Sequence, residues 1–378
     1  MLELFANVGN LTWQHVVMWV IGAVLIWLAI KKDMEPSLLL PLGFGTILVN
    51  LPLSGAVTQI YDGVEEVGAL DVLFGAGIAN ELFPLLLFIG IGAMIDFGPL
   101  LSNPKLMLFG AAAQFGIFFT LSMATLLGFD LKNAASIAII GAADGPTSIF
   151  VANFFQAKYI GAIMVAAYSY MALVPIVQPP VIKLLTSKKE RQIRMPYTPG
   201  SVSKTTKILF PIIITAVVGL VSPRSLALIG FLMFGNLVRE CGVLDALSET
   251  AQKVLANLVT LLLGLTISTK MQAQLFLTKE TLMILLLGLV AFIFDTAGGV
   301  VFAKVINLVL PKGRKINPMI GAAGISAFPM SARVVNKLGL QEDNQNFLLM
   351  HAVGVNVSGQ IASVIAGGLV IKLVSQYL

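Results

Sequence analysis

The chain has 378 residues, 57% of them hydrophobic and 11% charged, against roughly 45–50% and about 25% in soluble globular proteins. That balance excludes a soluble domain and predicts a polytopic membrane protein. A single cysteine, Cys241, excludes an internal disulfide, and two histidines, His15 and His351, are too few for a zinc or haem centre, so no transition metal is expected.

In chain order, the first apolar run, 13–30, follows an acidic start at Glu3 and lacks both a basic flank and a small-residue cleavage site. It reads as a retained transmembrane helix within a unit 1–36, not as a signal peptide. Runs at 106–129 and 159–182 also reach the length of about 17–25 residues that a span needs. Shorter runs at 37–53, 82–95, 208–222, 254–269, 281–294 and 316–332, most of them broken by Gly or Pro, read as tilted spans, half-spans or re-entrant pieces. The expected fold is all-α and embedded in lipid, with about 10–12 apolar segments. Asp96 and Asp295 stand at the ends of apolar runs and read as interfacial carboxylates.

Charge is concentrated in 183–207, which holds seven basic residues and one acid, Glu190. The positive-inside rule places this linker in the cytoplasm, where it serves either as a topology signal or as a docking surface for a soluble partner. Its basic residues are not interleaved with aromatic groups, so a nucleic-acid partner is not expected.

The linker separates two segments that echo each other, 37–182 and 208–378. Ile140-Gly141-Ala142-Ala143-Asp144 is matched 180 residues later by Ile320-Gly321-Ala322-Ala323-Gly324. The apolar runs around the two motifs follow in the same order, which predicts a duplication. Transporters built from inverted repeats place their sites at the midplane, on helices broken in corresponding positions. The corresponding breaks here are 141–146 and 321–329.

In the first break, Gly145-Pro146 interrupts an apolar helix. The freed carbonyls, the Asp144 carboxylate and the hydroxyls of Thr147 and Ser148 form a hard oxygen set suited to Na+. A carboxylate in mid-membrane costs about 2.5–3.5 kcal/mol on insertion scales and therefore implies a partner or a function; the alternative is a plain helix cap. The second break replaces the aspartate with Gly324 and keeps two hydroxyls, Ser326 and Ser331, predicting an uncharged carbonyl and hydroxyl site. Arg333 follows within about a turn and either neutralises Asp144, holds an anionic substrate or snorkels to the interface. On the helices that follow lie Tyr168, Ser169 and Tyr170, and Asn356, Ser358, Gly359 and Ser363. Asn356, Gly359 and Ser363 share one helix face, serving either as packing glue or as ion ligands opposite Asp144.

The run Ile139-Ile140-Gly141-Ala142-Ala143-Asp144-Gly145-Pro146-Thr147 resembles the signature of the beta subunits of biotin-dependent sodium-pumping decarboxylases, which act on oxaloacetate, methylmalonyl-CoA, glutaconyl-CoA or malonate. The resemblance extends through Tyr168-Ser169-Tyr170 to Pro179-Pro180 and to Asn356-Val357-Ser358-Gly359, and covers essentially the whole chain. It implies a multi-pass subunit of the inner (cytoplasmic) membrane that receives carboxybiotin from a carrier domain, decarboxylates it and couples CO2 release to Na+ export. Carried over by motif, Asp144 and Tyr170 would be catalytic. Asp144, Thr147, Ser148, Asn356 and either Ser358 or Ser363 would hold Na+, and Arg333 would contact carboxybiotin. The implied partners are a biotin carrier or carboxyltransferase subunit, a small single-span membrane subunit and membrane lipid, in an oligomer. The main alternative is an Na+-coupled secondary transporter of a small organic anion; a structural scaffold would not need paired, oxygen-lined helix breaks.

Overall fold

The computed structural model describes every residue except Met1, Leu2, Asp62, 197–199 and Ser201. Fourteen helices carry the described fold: α1 Trp13–Lys32, α2 Pro36–Val49, α3 Ala69–Ala79, α4 Leu82–Met94, α5 Pro104–Leu126, α6 Leu131–Ala142, α7 Gly145–Phe154, α8 Ile160–Leu185, α9 Lys204–Val221, α10 Leu226–Glu240, α11 Asp245–Lys270, α12 Lys279–Val309, α13 Met330–Glu342 and α14 Leu349–Val374. A short hairpin, Gln59–Tyr61 with Val64–Glu66, is the β-structure among the described residues. Seven helices are long and apolar enough to cross a membrane, or eight if the bent pair α3 and α4 counts as one span. The other expected apolar segments are shorter helices, among them α2 and α6.

Large apolar side chains cover much of the outer surface as well as the core. Leu209, Ile212, Ile213, Val217, Leu220 and Val221 point outward along α9, where 11% of the apolar window is buried, while α14 is 72% buried. Asn356, Ser358, Gln360 and Ser363 all point inward from α14. Lipid rewards apolar surface and penalises unpaired polar groups, so the polar side chains collect where protein can satisfy them.

The packing has a mirrored pattern. Helix α1 lies on α2 and α9 on α10; α4 crosses α10 and α2 crosses α11; α8 packs on α12 and α14 on α5. The half-helices α7 and α13 run from the interior toward opposite faces. The end of α13 meets the linker, where Arg191 pairs with Glu342 at 2.7 Å. The end of α7 lies under Arg224, whose guanidinium is 4.7 Å from the Phe154 ring centre. Arg224 follows the 18 residues of α9, a helix of about 27 Å at 1.5 Å per residue, and so lies across the membrane from the linker.

The 31-residue α12 passes both breaks. A Cβ on Gly299 would stand 2.0 Å from the Gly321 carbonyl oxygen, and one on Gly321 would stand 2.0 Å from that of Gly299. Only glycine permits two backbones to meet this closely.

One expectation changes. Asp295 is not interfacial: it lies in the middle of α12 and is fully buried. The linker is held to the end of α13, where Arg191 pairs with Glu342 and Arg194 with both oxygens of Asp343, at 2.5 and 3.0 Å. Lys183, Lys188 and Lys189 stay exposed.

Candidate functional site

The first break forms as Gly145-Pro146 predicts. The α6 helix tightens into a 3-10 turn over Ile139–Ala142 and Ala143 turns left-handed at φ 52°. Helix α7 then starts with Asp144 as its N-cap and Pro146 in its first turn. Asp144 Oδ1 accepts from the Thr147 amide at 3.2 Å. Asp144 Oδ2 accepts from the Thr147 hydroxyl at 2.8 Å and from the Ser363 hydroxyl at 2.7 Å. Asp144 is therefore a cap, as the plain reading holds, and is also tied through its second oxygen to α14. Ser148 donates to the Asp144 main-chain carbonyl at 2.8 Å.

The two breaks touch directly. The Ser326 amide donates to the Ala142 carbonyl at 2.9 Å, and the Ser326 hydroxyl lies 2.5 Å from that of Ser363. A chain of hydroxyls thus runs from Ser326 through Ser363 to the Asp144 carboxylate. Ser363 and Ser358 are separated by this geometry: Ser358 donates to the Leu106 carbonyl at 3.0 Å, in the α14–α5 contact.

The carbonyls of the second break already accept hydrogen bonds. Ala322 accepts from Gln178 at 2.7 Å, Ala323 from Asn356 at 3.1 Å, Gly324 from Gln114 at 3.4 Å, Ile325 from Asn356 at 2.7 Å, and Ser326 from Gln360. Buried amide side chains thus meet the demand that unwound backbone makes inside a membrane. The oxygens left over belong to those amides: Asn356 Oδ1 and Gln114 Oε1 are buried without a hydrogen-bond partner. Asn356 thereby leaves an unused acceptor oxygen at the second break.

A cavity of about 160 Å³ adjoins the breaks, lined by Asp144, Pro146, Tyr168, Ser326 and Gln360, with Glu35 and Asn257 among its other walls. Tyr168 is fully buried and its hydroxyl has no partner. Its ring lies against Gly145, where a Cβ would stand 2.3 Å from Cζ. Tyr170 is elsewhere. Two residues along a helix is a rotation of about 200°, so its hydroxyl donates to the Leu285 carbonyl and its ring lies by Gly288. Arg333 is exposed on α13, has no ion pair with Asp144 among the described residues, and lies within electrostatic reach of Glu35. The pairing of Asp144 with both broken segments and the placement of Tyr168 were not legible in sequence.

The chain matches the family model described as the Na+-transporting oxaloacetate decarboxylase beta subunit over residues 14–374. It is 50% identical to the glutaconyl-CoA decarboxylase subunit beta of Acidaminococcus fermentans, covering 96% of this chain and 94% of that one. It is 48% identical to the methylmalonyl-CoA decarboxylase subunit beta of Veillonella parvula, covering 97% and 95%. With the oxaloacetate decarboxylase beta chain of Haemophilus ducreyi it shares 44% identity, covering 99% and 98%. The chain belongs to the family of beta subunits of Na+-transporting decarboxylases.

Proposed function

We propose that this subunit decarboxylates carboxybiotin delivered by a carrier domain and couples the loss of CO2 to Na+ export across the cytoplasmic membrane. The observation that carries the reading is Asp144, a buried carboxylate bound to one broken helix as its cap and to the other through Ser363 and Ser326. A charge shared between the two breaks changes their relation when an ion replaces or joins its hydrogen bonds. Asp144, Thr147, Ser363 and the unpartnered Asn356 oxygen supply Na+ ligands of the hard type. Ser148 supports Asp144 from behind, and Ser358 belongs to packing.

Decarboxylation cleaves the N–CO2 bond of carboxybiotin and returns a proton to the ring nitrogen. The free Tyr168 hydroxyl faces the cavity and is the better placed of the two tyrosines to deliver that proton. Tyr170 then holds α8 against α12 and the first break. The N-termini of α7 and α13, both beside the cavity, carry partial positive charge and favour the carboxyl end of the substrate. At about 160 Å³ the cavity is smaller than the roughly 300–1,000 Å³ of drug-sized ligand sites. It accepts that carboxyl end only, or the whole head group after opening, with Arg333 at the outer side.

The mirrored helix packing and the opposite directions of α7 and α13 support an inverted duplication, with 37–182 and 208–378 as repeats and 183–207 as a cytoplasmic linker. The chain would work with a biotin carrier or carboxyltransferase subunit, a small single-span subunit and further copies, in the inner membrane.

The test is decarboxylation of free carboxybiotin by the purified complex, titrated with Na+ and repeated with Asp144→Asn. Saturable Na+-dependent turnover abolished by the variant supports the proposal. Folded protein that binds Na+ but never consumes carboxybiotin refutes it and leaves the organic-anion transporter.

A further inference from the structure

A second carboxylate lies deeper in the protein and is not used by the mechanism above. Asp295 has no exposed surface. Its Oδ1 accepts from the Ile117 amide at 3.2 Å and lies against Gly116, at the start of the 12-residue helical piece Phe115–Leu126 of α5. Its Oδ2 has no hydrogen-bond partner, and it faces Gly141, where a Cβ would stand 2.6 Å away. A helix cap needs one acceptor oxygen, which Asn or Ser supplies without charge. The second oxygen of Asp295 is thus unexplained by capping. One amide and a helix N-terminus offset part of a buried negative charge, and a carboxylate sealed in the membrane interior needs a proton or a cation for the rest. Two other buried hydroxyls without partners sit on the same two helices: Thr296, next to Asp295 in α12, and Thr120, one turn after Gly116 in α5.

We infer that Asp295 is a second monovalent-cation site, binding H+ or Na+ where α5, α12 and the first break meet, apart from Asp144. Its place gives it consequences. Helix α12 touches the matching glycines of the two breaks, Gly141 beside Asp295 and Gly321 beside Gly299. Neutralising Asp295 alters only the first contact, three residues before Asp144.

The inference does not rest on the carboxybiotin reading, and its test needs no turnover. The intact complex is treated with dicyclohexylcarbodiimide, which modifies protonated carboxyl groups in apolar surroundings, and adducts at Asp295 and Asp144 are mapped separately by mass spectrometry. An adduct at Asp295 is expected in Na+-free buffer and should persist in Asp144→Asn. Suppression by millimolar Na+ identifies Na+; suppression by rising pH alone identifies a proton. In parallel, Asp295→Asn, which keeps the capping oxygen, is expected to lose bound 22Na+ or to shift the pH profile of Na+ binding at least tenfold in proton concentration. If Asp295→Asn binds the wild-type number of Na+ with the wild-type pH profile, Asp295 is a cap and the inference fails. If that variant does not fold, absence of the wild-type adduct, with Asp144 modified in the same sample, overturns it.

Discussion

Replacing Gly299 with alanine tests whether α12 sets the position of the site. The new methyl would lie 2.0 Å from the Gly321 carbonyl oxygen, against 3.4–4 Å for ordinary contact. Both partners are backbone, so no side chain can swing away. The segments must separate by about 1.4 Å or more, and overpacking of this kind costs about 1–3 kcal/mol. Pro318–Gly324 leads directly to Ser326, which hydrogen-bonds the first break, so the displacement reaches Asp144. A misplacement of about 1 Å lowers turnover on the order of 100-fold. The control is Gly75→Ala, at φ −60° with nothing within 4 Å of a new Cβ, which should gain up to about 1 kcal/mol from helix propensity. Thermal unfolding in detergent and Na+-dependent carboxybiotin decarboxylation read both variants. A Gly299→Ala protein with wild-type melting temperature and turnover would show that the crossing is loose and the reasoning wrong.

Ser363→Ala should raise the half-saturating Na+ concentration about tenfold or more, since a hydrogen bond to a charged group is worth about 1.5–3 kcal/mol, while Ser358→Ala should leave Na+ titrations unchanged. Tyr168→Phe should lower decarboxylation by about 100-fold or more without lowering the melting temperature, because the hydroxyl has no partner to lose; undiminished turnover would remove it from the mechanism. Asn356→Leu strands the Ala323 and Ile325 carbonyls. At about 0.6 kcal/mol on average and about 1.7 at most per interhelical bond, it should destabilise by about 1–3 kcal/mol in denaturation measurements. Where the linker meets the end of α13, the Arg194 guanidinium beside Asp343 holds its carboxyl below the usual carboxylate range. A depressed acid stabilises above its unfolded value of about 3.9 and loses that contribution as pH falls through the lower folded value. Amide exchange of 187–196 and 342–346, corrected for intrinsic rates, should therefore accelerate at strongly acidic pH and not near neutrality.

The parts of the site that were legible in sequence are those encoded locally. Gly145-Pro146 announces a break wherever it occurs in an apolar run, and Asn356, Gly359 and Ser363 announce a shared face by spacing alone. All three face the breaks, with Gly359 beside the Gly324 carbonyl. Asp295 was misplaced because an apolar run counted by hydropathy stops at the first charge, whereas the helix continues to Val309. The choice between Tyr168 and Tyr170 depends on helix rotation relative to neighbours, which no local pattern fixes. The amides that satisfy the second break come from Gln114, Gln178, Asn356 and Gln360, on three helices far apart in sequence. Such long-range pairing leaves no local trace.

Those amides also divide the molecule mechanically. They rivet α5, α8 and α14 to one unwound turn, and that turn cannot slip past any of the three without surrendering several buried bonds together. Helices α2, α4, α10 and α11, which cross one another, carry none of these rivets. The Asp144 cavity lies on the seam between the groups, with Leu87 and Ile91 of α4 and Thr260 of α11 facing Asp144, Tyr168 and Gln360. Sliding of one block along the other would open the cavity to either side while the hydrogen-bonded turn at its wall keeps its shape.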